Sequence, residues 1–207
     1  MPSVRSVRFV VKPIVFVACL LPALRLLAGA LGAFDVDLGT DPAANILHTL
    51  GQWGLRFVVL TLCITPARSL LKQPWLQQFR RMLGLYAFTY VLLHFLAWLA
   101  LDQQFYWAGI GADLVKRPYI TLGFAALLML TVLAITSTQG MKRRLKWRWQ
   151  RLHRLVYVIA ILGVWHYWWE VKADIREPLV FALIVAVLLG YRLWRKVTVQ
   201  RAATAAA

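Results

Sequence analysis

Four histidines stand in this 207-residue chain, His48, His94, His153 and His166, and all four fall in or at the ends of long apolar runs. An ionisable side chain inside a membrane is costly and marks a functional position, although a lone membrane histidine can also be a neutral link between helices. Four of four in such places favours ligands. His94 and His166 lie 14 and 13 residues beyond Arg80 and His153, in each case about 20 Å along a helix. Two imidazoles at matched depth on facing helices can ligate one haem iron from both sides. Gly84 and Ala87 before His94, and Gly163 before His166, are small enough to let a flat macrocycle or a neighbouring helix come close.

The inner position is less well furnished. His153 has no histidine opposite, and Arg80 and Arg81 occupy its depth instead. In an ideal helix it sits about 140° around from His166, so a second haem there needs a twist or a bulge. The spacing leaves His153 open to three roles: second-haem ligand, group behind the ligands, or contact to a flavin or quinone. His48, at the outer edge of its run, is a weaker cofactor candidate.

Two arginines, Arg25 and Arg56, lie inside apolar runs, where a cation needs an anionic partner or must snorkel to the surface. Haem propionates suit Arg25. Arg56, like Arg80 and Arg81, has a propionate, a quinone carbonyl or a flavin phosphate as alternatives. The basic segment Met141–Trp149 reads first as an anchor to anionic lipid. Secondly, it reads as a dock for an acidic or phosphate-bearing electron donor, with Trp147 or Trp149 free to stack. Cys19 and Cys63 form no C-x-x-C pair and read as small buried hydrophobes, which excludes a thiol–disulfide oxidoreductase.

The elements that must position these residues are membrane helices. The chain is 61% hydrophobic and 15% charged, with a mean hydropathy of +0.64, well beyond a soluble domain. Continuous apolar runs without strict alternation favour helices over barrel strands. The expected fold is all-α: a polytopic six-helix bundle with spans at about 14–31, 46–65, 82–101, 119–137, 152–170 and 178–195. These spans leave no room for a soluble domain, so residues 1–207 read as one membrane domain.

The net charge of +16 would suggest nucleic acid in a soluble protein, but its placement says otherwise. All eight acids (Asp35, Asp37, Asp41, Asp102, Asp113, Glu170, Asp174 and Glu177) fall in the first, third and fifth loops or their edges. The second and fourth loops and both termini carry 18 cations, Arg5 among them, against Lys116, Arg117, Lys172 and Arg176 opposite. Positive-inside bias then puts both termini in the cytoplasm of a bacterial inner-membrane protein. Arg5, Arg8 and Lys12 before an apolar run resemble a signal peptide, but the run is long for one, and an uncleaved first helix is expected. Residues 102–117 read as a loop with an interfacial aromatic belt. The chain shows no evident internal repeat, and its Ala-rich tail reads as disordered.

Three segments carry a family resemblance. Arg80–His94 (RRMLGLYAFTYVLLH) resembles the third helix of ferric-reductase-like transmembrane domains, and Trp149–Tyr157 (WQRLHRLVY) with His166–Trp169 (HYWW) resembles their fifth. Adding Thr61–Arg68 (TLCITPAR) and the short length, the chain most resembles the MsrQ family, the haem-binding membrane subunits of periplasmic methionine-sulfoxide reductase systems. The resemblance implies b-type haem with FMN also associated. It implies electrons drawn from the quinone pool or a cytosolic flavin reductase and delivered to a periplasmic molybdopterin-dependent reductase that repairs oxidised proteins. It also implies His94 and His166 as haem-iron ligands, with His153 as a third. Larger oxidase relatives show two histidines on each of the third and fifth helices; here the inner one on the third is missing, so their two-haem arrangement does not transfer whole. The rival readings are a stand-alone ferric-reductase-like cytochrome b and, from another class, a small histidine-containing transporter or proton channel.

Overall fold

The structure, a computed structural model, describes residues 6–171 and 174–205. Arg5 and Lys172 of the charge pattern lie outside the described residues. The described chain is helical. In order come α1 (Val7–Ala30), α2 (Pro42–Leu70), α3 (Pro74–Asp102), α4 (Trp107–Lys116), α5 (Pro118–Ile135), α6 (Gln139–Leu145), α7 (Trp147–Leu152), α8 (Leu155–Glu170) and α9 (Arg176–Ala205). Prolines at the first position start α2 and α5, where the missing N–H has no intrahelical partner to lose. The Asp41 carboxylate caps α2 by accepting from the Ala44 N–H at 3.0 Å.

Among the described residues five helices, α1, α2, α3, α5 and α9, are long and apolar enough to cross a membrane. The remaining run, expected at 152–170, is shorter as a helix: α8 has 16 residues, about 24 Å at 1.5 Å per residue. The chain breaks between α7 and α8 at His153 and Arg154, where Arg154 and Tyr157 donate to carbonyls only three residues back. Two other expectations change. The segment after Asp102 holds the ten-residue α4, whose Ile110 packs on Trp98 and Leu99, while Phe105, Tyr106 and Trp107 stay exposed. The Ala-rich tail, expected to be disordered, continues α9 to Ala205, in keeping with alanine being the best helix former.

Two helix hairpins make the centre: α2 with α3, and α5 with α8. Large apolar side chains on the outward faces of α1, α5 and α9, such as Leu21, Leu128 and Val187, are exposed. That surface suits hydrocarbon rather than water.

The first helix is tied to α3 by hydroxyls. The fully buried Tyr90 donates to the Cys19 carbonyl at 2.8 Å and accepts from the Ala23 N–H at 3.1 Å. It thus bridges the α1 backbone beside Pro22, which has no N–H to give. One turn earlier Tyr86 donates to the Phe16 carbonyl at 2.8 Å. Tyr90→Phe removes both bonds, each contributing about 0.5–1.5 kcal/mol, and is expected to lower the thermal unfolding temperature in detergent by several degrees. A midpoint equal to that of the parent would show that this hydroxyl does not hold α1.

Candidate functional site

His94 on α3 and His166 on α8 meet at the centre of the two hairpins. Their ring centroids are 6.0 Å apart and their planes cross at 79°. The Nδ1–H of His94 donates to the Leu47 carbonyl of α2 at 2.9 Å, and that of His166 donates to the Tyr119 carbonyl of α5 at 2.7 Å. A carbonyl only accepts, so Nδ1 carries the proton in both rings and Nε2 keeps its lone pair. That is the tautomer a metal-binding imidazole needs. Metal–imidazole bonds of about 2 Å, made to one iron from opposite sides, would place the ring centroids roughly 6 Å apart. The pair has that separation.

Both accepting carbonyls belong to helices and already take the bond from the residue four positions on. A ring that reaches such a carbonyl from a neighbouring helix comes close to the Cβ at that fourth position, because helical Cβ atoms tilt toward the N-terminus. Gly51 and Gly123 hold those positions. A Cβ on Gly51 would stand 3.0 Å from Nδ1 of His94, and one on Gly123 would stand 2.9 Å from Nδ1 of His166.

The two rings open on a cavity of about 270 Å³ whose apolar wall includes Leu55, Leu127, Leu130, Ile159 and Gly163. Asp102, Arg117, His48 and Glu170 also line it, which makes this the acidic end of the molecule. His48 does not join the histidine pair. It is half-exposed, with Nε2 3.7 Å from the Glu170 carboxylate.

A second cavity, of about 680 Å³, lies at the basic end. Lys12, Arg80, Arg81, Lys142, Trp149 and His153 are among its lining residues, which include no carboxylate. Val58 and Leu130 line both cavities. His153 stacks on Trp149, centroids 3.9 Å apart, and Trp149 is fixed by an indole N–H bond to the Thr136 carbonyl at 2.9 Å. Trp149 is therefore part of the cavity wall, while Trp147 is exposed under the guanidinium of Arg151. Gly84 and Ala87, read from sequence as room beside His94, line this basic-end cavity instead.

Arg25 and Arg56 line neither cavity. Arg25 is on an exposed face of α1. Arg56 donates to the Gln52 side-chain oxygen at 3.2 Å and lies 5.0 Å from the Trp53 ring. Gln52 in turn donates to Glu177 at 2.8 Å and to the Tyr167 hydroxyl at 3.0 Å. The anion facing Arg56 is thus a carboxylate of its own chain, reached through an amide.

Residues 50–164 match the family model described as ferric reductase like transmembrane component. Over 164 residues, 79% of this chain and 75% of the relative, the sequence is 56% identical to the "Protein-methionine-sulfoxide reductase heme-binding subunit MsrQ" of Xanthomonas euvesicatoria pv. vesicatoria. Over 180 residues, 86% of this chain and 85% of the relative, it is 53% identical to the protein of the same description from Rhodospirillum rubrum. The chain belongs to the MsrQ family. The resemblance carried by the Arg80–His94 and Trp149–Tyr157 segments is therefore sound, and this MsrQ-family chain is a membrane protein of the ferric-reductase-like class. Sequence reasoning missed Leu47, Gly51, Tyr119 and Gly123, which hold the two rings. No signal marks a backbone carbonyl as a partner, and glycine in an apolar helix ordinarily reads as helix packing.

Proposed function

We propose that this chain is the haem-binding, electron-carrying membrane subunit of a bacterial inner-membrane methionine-sulfoxide reductase system. It would cross the bilayer six times, with both termini in the cytoplasm. α8 would then complete the sixth crossing together with its aromatic end at Trp165–Trp169. The observation that carries the reading is the His94–His166 pair, with both Nδ1 atoms engaged, both Nε2 atoms left as ligands and the centroids 6.0 Å apart. The description of the MsrQ relatives as haem-binding subunits supports it.

Bound haem supplies a one-electron ferric–ferrous couple. His94 and His166 would hold its iron through Nε2, with the Leu47 and Tyr119 carbonyls fixing tautomer and ring plane. Leu55, Leu127, Leu130 and Ile159 would exclude water from the iron, a lever on potential. Arg117, on the acidic rim, suits a propionate. The basic-end cavity, with four cations, His153 and no lining carboxylate, suits an anionic redox group: a flavin phosphate such as FMN, haem propionates or a quinone head. Electrons would enter there from quinol or a cytosolic flavin reductase. They would leave at the acidic end to a periplasmic molybdopterin-dependent reductase.

The test is haem and flavin stoichiometry in the purified chain, followed by reoxidation of the reduced protein by the periplasmic partner with methionine sulfoxide. One low-spin haem per chain that is reoxidised only with partner present is expected. A colourless protein would turn the reading toward a histidine-containing transporter or proton channel. Equal reoxidation by soluble ferric complexes without partner would favour a stand-alone metal reductase.

A further inference from the structure

The two histidine hydrogen bonds share one sequence separation: each ring bonds a carbonyl 47 residues before it. Adding 72 to Leu47, Gly51 and His94 gives Tyr119, Gly123 and His166, so carbonyl, glycine and histidine all map onto their counterparts at once. The same shift carries Thr49-Leu50-Gly51 onto Thr121-Leu122-Gly123 and Leu55 onto Leu127. It carries the α2–α3 hairpin onto the α5–α8 hairpin. It also carries Arg81 onto His153, and both of these line the basic-end cavity. The two central hairpins match in this register, although the sequence alone displays too few identities to announce a repeat.

We propose that Gly51 and Gly123 are equivalent positioning residues of these hairpins. Each leaves room for one histidine ring against the carbonyl that orients it, and together they hold the two imidazoles crossed. The proposal rests on His94 and His166 being the haem ligands. Its physical basis is the space a methyl group would take. On Gly51 a Cβ would lie 3.0 and 3.1 Å from Nδ1 and Cε1 of His94; on Gly123, 2.9 and 3.0 Å from the same atoms of His166. Ordinary contact is about 3.5–4.0 Å, so each ring would have to retreat by roughly half an ångström. Retreat lengthens the Nδ1–H···O bond and turns the ring. That bond pushes electron density toward the iron and so favours the ferric state, and weakening it makes the haem easier to reduce. Each ring answers to a different helix, which is how the 79° crossing is kept despite the near-symmetry of the parts.

The test uses the purified full-length chain, read by haem content, electron paramagnetic resonance of the ferric state and the haem midpoint potential. Crossed ligand planes give the parent a strongly anisotropic low-spin signal with a large low-field g value. Gly51→Ala and Gly123→Ala are each expected to shift that feature and make the potential more positive, or to lose haem while the protein still purifies as a monodisperse helical species. Two controls separate ring contact from helix packing. Gly190→Ala meets nothing within 4 Å and should keep the parent signal, while Gly54→Ala crowds Val91 at 2.7 Å, not a histidine, and should move it less than Gly51→Ala does. An unchanged signal and potential in both test variants would overturn the proposal, as would a shift in Gly54→Ala as large as that in Gly51→Ala. Should neither test variant fold, the parent still decides: an ordinary rhombic signal, characteristic of parallel planes, also overturns it. A parent with no low-spin haem, or a His94→Ala variant with the parent spectrum, instead sinks the ligand assignment beneath it.

Discussion

Replacing either His94 or His166 by alanine is expected to abolish binding of the low-spin haem and all electron transfer that depends on it. The two rings face each other at 6.0 Å from different hairpins, so neither can substitute for the other. Their Nδ1 atoms are bound to backbone, which leaves one nitrogen each for a metal. Loss of a hydrogen-bonding partner behind a ligand already costs about 10–100-fold in metal affinity, and loss of the ligand itself costs more. His48→Ala supplies the contrast. Its imidazole is half-exposed against Glu170, and its removal should leave haem content and spectrum unchanged. Absorption spectra of the reduced variants and haem per chain give the answer. Full haem with an unshifted band in either His94→Ala or His166→Ala would remove the ligand assignment.

The pairing of those two histidines was legible because depth along a helix is a matter of counting. Residues in a helix rise by about 1.5 Å each, and nearly all of those between His153 and His166 lie in α8. Azimuth was not legible in the same way. The ideal-helix angle between His153 and His166 assumes a continuous helix, and the chain turns at His153–Arg154 between α7 and α8, so the angle does not apply. The glycines behind the rings were hidden for a related reason. Gly51 and Gly123 act on residues 43 positions further on, and only the hairpin geometry shows which ring each leaves room for. Arg56 shows the opposite limit. A cation in an apolar run demands a polar partner, and here Gln52, itself bonded to Glu177 of a distant helix, is one that the sequence did not point to. Hydropathy read the apolar runs well and their ends poorly: beyond Lys196 the chain is helical to Ala205 although Val197 and Val199 are exposed, because alanine needs no buried face to propagate α9.

His153→Ala is expected to separate the two cavities functionally. The haem between His94 and His166 should stay bound and reducible by dithionite, since His153 lines only the basic-end cavity. Its reduction by the physiological donor, quinol or flavin reductase, should slow at least tenfold. Removing the imidazole also frees the Trp149 face it stacks on, so the wall loses both a polar group and its rigidity. The cations give an independent lever. Hydrogen bonds to charged groups contribute about 1.5–3 kcal/mol each. Arg80→Gln with Lys142→Gln should therefore weaken an anionic occupant by well over tenfold while leaving the acid-end haem unchanged. Flavin and haem per chain, together with stopped-flow reduction, then identify the occupant. Loss of flavin names a flavin phosphate, and loss of a second haem names propionates. Slowed quinol reduction with both contents intact names a quinone head. Val58 and Leu130 wall both cavities, so a group held at the basic end would have only that thin apolar partition between itself and the haem. An electron route through the cavity is sunk if the charge-reduced and His153→Ala variants are both reduced by quinol and by flavin reductase at the parent rate.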